Sequence, residues 1–82
     1  MEFLVEFARL GRTRAPEPIK VAVAAGEDIG TEIVEAVYRY ARKHLNSKDY
    51  VVNAVVLPDG VGGTGGIDAG RFGTFTFVRS GS

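Results

Sequence analysis

The chain predicts an α+β fold: a ββαββ order in which a four-stranded, mainly antiparallel sheet carries one helix on one face. Three observations lead there. Apolar residues alternate at period two in three segments and fill both sides of a fourth, β-branched one; one segment repeats at three and four; and no unit recurs along the 82 residues.

In Met1 to Leu10, Phe3, Val5 and Phe7 fall on one side and Glu2, Leu4, Glu6 and Ala8 on the other, which gives a first strand with one fully apolar face. Gly11 to Pro18 holds Arg12, Arg14, Pro16 and Pro18 and reads as a loop, because proline fixes φ and offers no amide donor to a ladder. Ile19, Val21, Val23 and Ala25 then alternate with Lys20, Ala22 and Ala24, forming a second strand. Residues 29–45 form the helix, with Ile33, Val34, Val37, Tyr38, Ala41 and Leu45 as its apolar stripe. Asp28 or Thr31 caps its first amides, and Asn46 is placed to end it in a left-handed conformation. Glu27, Glu32 and Glu35 lie toward the positive end of the helix dipole and Arg42, Lys43 and His44 toward the negative end, with Glu35 and Arg39 spaced as an i,i+4 pair. Tyr50 to Leu57 places valines on both sides, as a strand covered on both faces does, so it is expected in the sheet interior. Phe72 to Val78 alternates Phe75 and Phe77 against Thr74, Thr76 and Val78 and supplies the fourth strand.

Between the last two strands, residues 57–77 hold seven of the eleven glycines. Gly60-Val61-Gly62-Gly63-Thr64-Gly65 satisfies the spacing G-x-G-x-x-G. A dinucleotide site also needs a helix opening at the last glycine and an acidic side chain about 20 residues later, and here another strand follows before the chain ends. No lysine follows the glycines to reach a phosphate. The segment 58–70 is therefore expected to be a flexible connection, with Asp59 and Asp68 serving its turns rather than a metal ion. Gly70 to Phe77 also departs from the aromatic octamer of RNA-recognition sheets, since its basic residue and first glycine are transposed and Thr74 and Phe75 replace an aromatic and a branched residue. Phe75 and Phe77 read as core.

Composition narrows the function. A single domain, 1–82, with 45% hydrophobic and 24% charged residues folds on its own terms. A chain this short buries only about 60 to 65% of its unfolded surface. No cysteine is present to form disulfides or thiolate metal sites, and no apolar run spans a bilayer, which together with the lack of a leader-like start gives a cytoplasmic expectation. His44 is the sole histidine, and Ser47, Ser80 and Ser82 lie at a helix end or near the carboxyl terminus, so neither an enzyme nor a cofactor is expected. Ten basic and ten acidic side chains cancel, which removes a global field for nucleic acid.

A single helix covers one face of a sheet, which leaves Leu4, Ala22, Ala24 and one set of valines from the third strand in search of cover. The first functional reading is accordingly a protein-protein interaction module, a homodimer included, working through the sheet face or an edge strand. The second is a nucleic-acid binder using Arg12 and Arg14 of the first loop, near Arg9, together with Arg71, while Arg39, Arg42 and Lys43 on the helix read as solvation.

Overall fold

A computed structural model describes residues 1–12, 16–45 and 49–80. Its elements are β1 (Glu2–Leu10), β2 (Ile19–Ala22), α1 (Ile29–Ala41), β3 (Val52–Val56), β4 (Gly62–Ile67) and β5 (Gly73–Ser80). All pairings are antiparallel, in the order β2-β1-β5-β4-β3. The α+β class follows the sequence reading; among the described residues there is one helix, as expected, and the strand count is five, not four.

The additional strand is β4, within the segment expected to be a connection. Its glycines make room for rings. Gly63 pairs with Phe77 and Gly65 with Phe75, and a Cβ at either glycine would lie within 3.0 Å of its partner's ring. Each phenylalanine lies over the backbone of its glycine neighbour, and both rings are buried. Burying a side chain of this size contributes about 2 to 3 kcal/mol.

Turn chemistry closes both hairpins of this half. At Pro58-Asp59-Gly60, Gly60 takes φ +69 and donates to the Leu57 carbonyl, while Asp59 accepts from the Val61 amide at 2.9 Å. Between β4 and β5, Asp68 and Ala69 both adopt positive φ and Phe72 N–H closes on the Ile67 carbonyl.

In β1 the register slips by one residue between Phe7 and Arg9, where β5 advances only from Phe75 to Thr74. This bulge changes the parity of the strand, so Leu10 joins Phe3, Val5 and Phe7 in the core. β2 is shorter than Ile19 to Ala25. Beyond Ala22 its pairing continues only as Val23 exchanging hydrogen bonds with Met1, after which Glu27 folds back onto Ala24.

Asp28 caps α1, accepting from the Thr31 amide at 2.9 Å and hydroxyl at 2.8 Å. The helix ends at Ala41 rather than residue 45, because Lys43 and His44 bond three residues back, to Tyr40 and Ala41. Asn46 lies outside the described residues. Ile33, Val37 and Ala41 face the sheet, and Tyr40 stacks on Phe7 with ring centroids 5.2 Å apart.

Candidate protein-interaction edge

β3, read as interior, is an edge strand, and its outward valines are exposed rather than covered: Val51 is 62% and Val55 66% accessible. The other edge, β2, has four residues, follows Pro16 and Pro18, and bears Lys20. Short length, proline and lysine are the features that keep a sheet edge from pairing with foreign strands. β3, with five residues and Pro58 beyond its end, differs chiefly in bearing no charge. Val51 to Val56 carries no charge and no proline.

The free backbone groups of β3 can be assigned. Val51 accepts from the Asp68 amide and Leu57 donates to the Gly62 carbonyl, so odd-numbered residues of this strand bond β4. Val52, Ala54 and Val56 therefore direct their N–H and C=O groups away from the sheet, and among the described residues no strand pairs with them.

α1 runs alongside this edge in the opposite direction, with Gly30 near Val56 and Tyr38 near Tyr50. Two hollows open between helix and strand, of about 520 and 470 Å³, and they share Val34, Glu35 and Val52. Together they make a groove from Asp28 and Thr31 at one end to Tyr38, Tyr50 and Val51 at the other. Its floor is apolar in the half lined by Val34, Tyr38, Tyr50 and Val52, and mixed in the half at Asp28, Thr31 and Asn53. The Tyr50 hydroxyl donates to the Tyr38 carbonyl at 3.2 Å, their rings lie 5.1 Å apart, and burial, with Tyr38 adding to it, raises the Tyr50 pKa.

The rim is charged. No ion pair joins Glu35 to Arg39 among the described residues, although their spacing allows one. Glu32 has a raised pKa, from desolvation first and then from Glu27 and Glu35 nearby, whereas the Thr31 hydrogen bonds lower that of Asp28. Acidic groups thus gather at the amino-terminal half of α1 and Arg39, Arg42 and Lys43 at the other.

The open face of the sheet is more polar than expected. Across it run Lys20, Leu4 and Val78, then Glu6, Thr76, Thr64 and Val55, then Thr74 and Asn53. Leu4 is half-buried there, while Ala22 and Ala24 are exposed. The exposed large hydrophobic residues other than Met1 are Val51, Val55, Leu57, Val61 and Val78, on β3, on the hairpin leaving it, and on β5 beside that hairpin. Val51, Val55 and Leu57 fall along the β3 edge, while Val78 lies on the central strand β5.

The arginines of the second reading lie elsewhere. Gly11 donates to the Phe72 carbonyl, which brings the start of the first loop against the β4–β5 turn. Arg12 is exposed there, and Arg14 lies outside the described residues. Arg71 stands 4.0 Å from Asp68 and over the Phe72 ring, and Arg9 donates to the carbonyls of Gly70 and Arg71. Sequence reasoning passed over Tyr38, Tyr50 and Val34 as groove residues. A usable signal was the uncharged run Val51 to Val56, which lacks any residue that discourages edge pairing. Among the described residues no group of three or more His, Asp or Glu is placed to hold a metal ion, and no helix is long and apolar enough to cross a membrane. Comparison with protein-family models, with curated proteins and with solved structures finds no match for this chain.

Proposed function

We propose that the chain is a non-catalytic protein-protein interaction module that binds by accepting a strand on β3. The difference between the two sheet edges carries this reading: β2 bears Lys20 and directly follows Pro18, while β3 is uncharged and offers three residues of unpaired backbone beside a groove whose Tyr38–Tyr50 half is apolar. In strand addition the backbone supplies affinity and alternate side chains supply specificity. Here the partner's inward side chains would lie over Val34, Tyr38 and Val52, and the rim charges Glu35 and Arg39 would select among sequences.

Selection of random extended peptides against the isolated chain, followed by amide mapping, tests this. Binders are expected to shift and protect the Val52, Ala54 and Val56 amides, and Ala54→Pro, which removes an outward-facing donor, is expected to abolish their binding. Binders that leave those amides unchanged would refute it. The nucleic-acid reading has weaker support, because the exposed Arg71 lies 4.0 Å from Asp68 and the exposed Arg9 is held by the carbonyls of Gly70 and Arg71, so two of the three described arginines at that end already have partners. Oligonucleotide binding that falls steeply with salt and shifts Arg12 and Arg71 would restore it.

A further inference from the structure

We infer that the strand β3 accepts is β3 of a second copy, antiparallel, with Ala54 facing Ala54 across a twofold axis. This rests on the strand-addition reading and adds the identity of the occupant and its register.

Self-pairing suits the sequence of the edge. The outward-bonding residues Val52, Ala54 and Val56 read the same in both directions, so an antiparallel copy sets Val52 against Val56 and Ala54 against itself. Each of these pairs exchanges both of its backbone hydrogen bonds. On the open face the same register places Val51 beside Leu57 of the other copy and Val55 beside Asn53. The exposed valines thereby gain neighbours, and no like charges meet within the ladder.

Charge complementarity on the helix favours a second copy over an unrelated strand. Because α1 runs antiparallel to β3, the twofold axis through Ala54 sets the two helices antiparallel as well. Gly30 lies at Val56, and the hollow at Ala54 is lined by Thr31, Val34 and Glu35, so the axis crosses α1 there and brings Arg39 of one copy level with Glu27 and Asp28 of the other, with Glu32 and Glu35 near the axis itself. The twofold repeats this Arg39 pairing at two places, one on each side of the axis. Overall repulsion does not oppose it, since ten basic and ten acidic groups cancel. The product is one continuous sheet through both copies with both helices on the same face.

The test is sedimentation equilibrium on the full chain from micromolar to millimolar concentration, with amide exchange measured alongside. The wild type is expected to rise from the 8.8 kDa monomer toward twice that mass, with the Val52, Ala54 and Val56 amides becoming protected as it does. Ala54→Pro is expected to remain monomeric with its circular dichroism retained. Arg39→Glu, an exposed helix substitution that leaves the fold intact, is expected to weaken dimerisation about tenfold or more, because it sets acid against acid. The chain has no cysteine, so Ala54→Cys introduces a single thiol, which air oxidation should join across the axis; Thr76→Cys, in the middle of the open face, should stay reduced.

A monomer throughout, with those three amides exchanging freely, overturns the second copy and leaves the edge open to a different protein. A monomer in which they are protected overturns both the inference and the proposed function, since the chain would then cover its own edge. A dimer indifferent to Ala54→Pro and Arg39→Glu overturns the inference by placing the interface elsewhere.

Discussion

Replacing Gly65 by alanine tests whether β4 is a strand hollowed for aromatic rings. A Cβ at that position would stand 2.6 Å from Phe75 Cε2, closer still to Cζ, and inside contact distance of the Asn53 carbonyl oxygen. Ordinary contact begins at 3.4 Å, so the ring would have to withdraw by roughly 1 Å. It has little room to do so, because Phe75 is 2% exposed and packs against Phe7 and Phe77 at centroid distances of 5.9 and 6.4 Å. The backbone oxygen is held in the β3–β4 ladder and yields no more easily.

Overpacking of this kind costs about 1 to 3 kcal/mol, and the upper end applies where a backbone atom is among the neighbours. Reduced freedom of the unfolded chain offsets about 0.4 to 1 kcal/mol. The net loss is about 2 kcal/mol. That is a large share of the roughly 4 to 12 kcal/mol expected of a domain this size, and corresponds to a melting temperature lower by about 8 to 16 °C. Urea and thermal unfolding followed by circular dichroism measure it. A second substitution, Phe75→Leu, trims the ring, so the double variant should lose at least about 1 kcal/mol less than the sum of the singles. If Gly65→Ala melts at or above the wild-type temperature, the glycines are not accommodating the rings and the segment is the slack connection that its composition suggests.

Gly30→Ala should have the opposite sign: its Cβ would meet Asp28 and Val56 at 3.5 and 3.6 Å, ordinary contacts, and alanine in the first turn of α1 should raise stability by up to about 1 kcal/mol in the same unfolding assay. Ala69→Gly, in the β4–β5 turn where Ala69 holds φ +57, should stabilise by about 0.5 to 1 kcal/mol, the relief of a left-handed alanine exceeding the entropy lost to glycine. Tyr50 gives a pH dependence. Its folded pKa is raised above the ordinary 10.0, so the native state favours the neutral phenol; that contribution is complete below pH 10.0 and is lost as pH rises through the folded value. Melting temperatures between pH 9 and 11.5 should fall more steeply for the wild type than for Tyr50→Phe, and parallel curves would contradict the assignment.

What the sequence made legible was whatever repeats over several residues. Phe3, Val5 and Phe7, or Ile33, Val37 and Ala41, announce their elements because periodicity and burial coincide. β4 escaped because its evidence was divided between two segments: Gly63 and Gly65 carry no side chain to pattern, and their role is visible only when Phe77 and Phe75 are set opposite them. Strand order escaped for a related reason. Val51, Val52, Val55 and Val56 suit a strand covered on both faces, and hydrophobicity alone does not separate that case from an edge that leaves one face open. The more informative signal was absence, since no lysine or proline interrupts the run. The groove depends on α1 lying beside β3, a tertiary fact that no local pattern in Val34, Tyr38 or Tyr50 encodes.

The core and the exposed edge have a common physical origin. Seating two phenylalanine rings over β4 requires Gly63 and Gly65 on its inner side, and Gly62 and Gly66 on the open side leave Thr64 as the one side chain that β4 presents there between them. Val55 has only Thr64 opposite it and glycines on either side of that threonine, and Val51, ahead of β3, lies beside Asp68; both valines stand exposed. Covering a valine of this kind recovers up to about 2 kcal/mol, an amount that matters where total stability is modest. The chain gains nothing from these valines in isolation, since a threonine would suit an exposed strand position equally well. Their placement on the uncharged edge, against the lysine and prolines at the opposite edge, is the contrast on which the proposed strand addition rests.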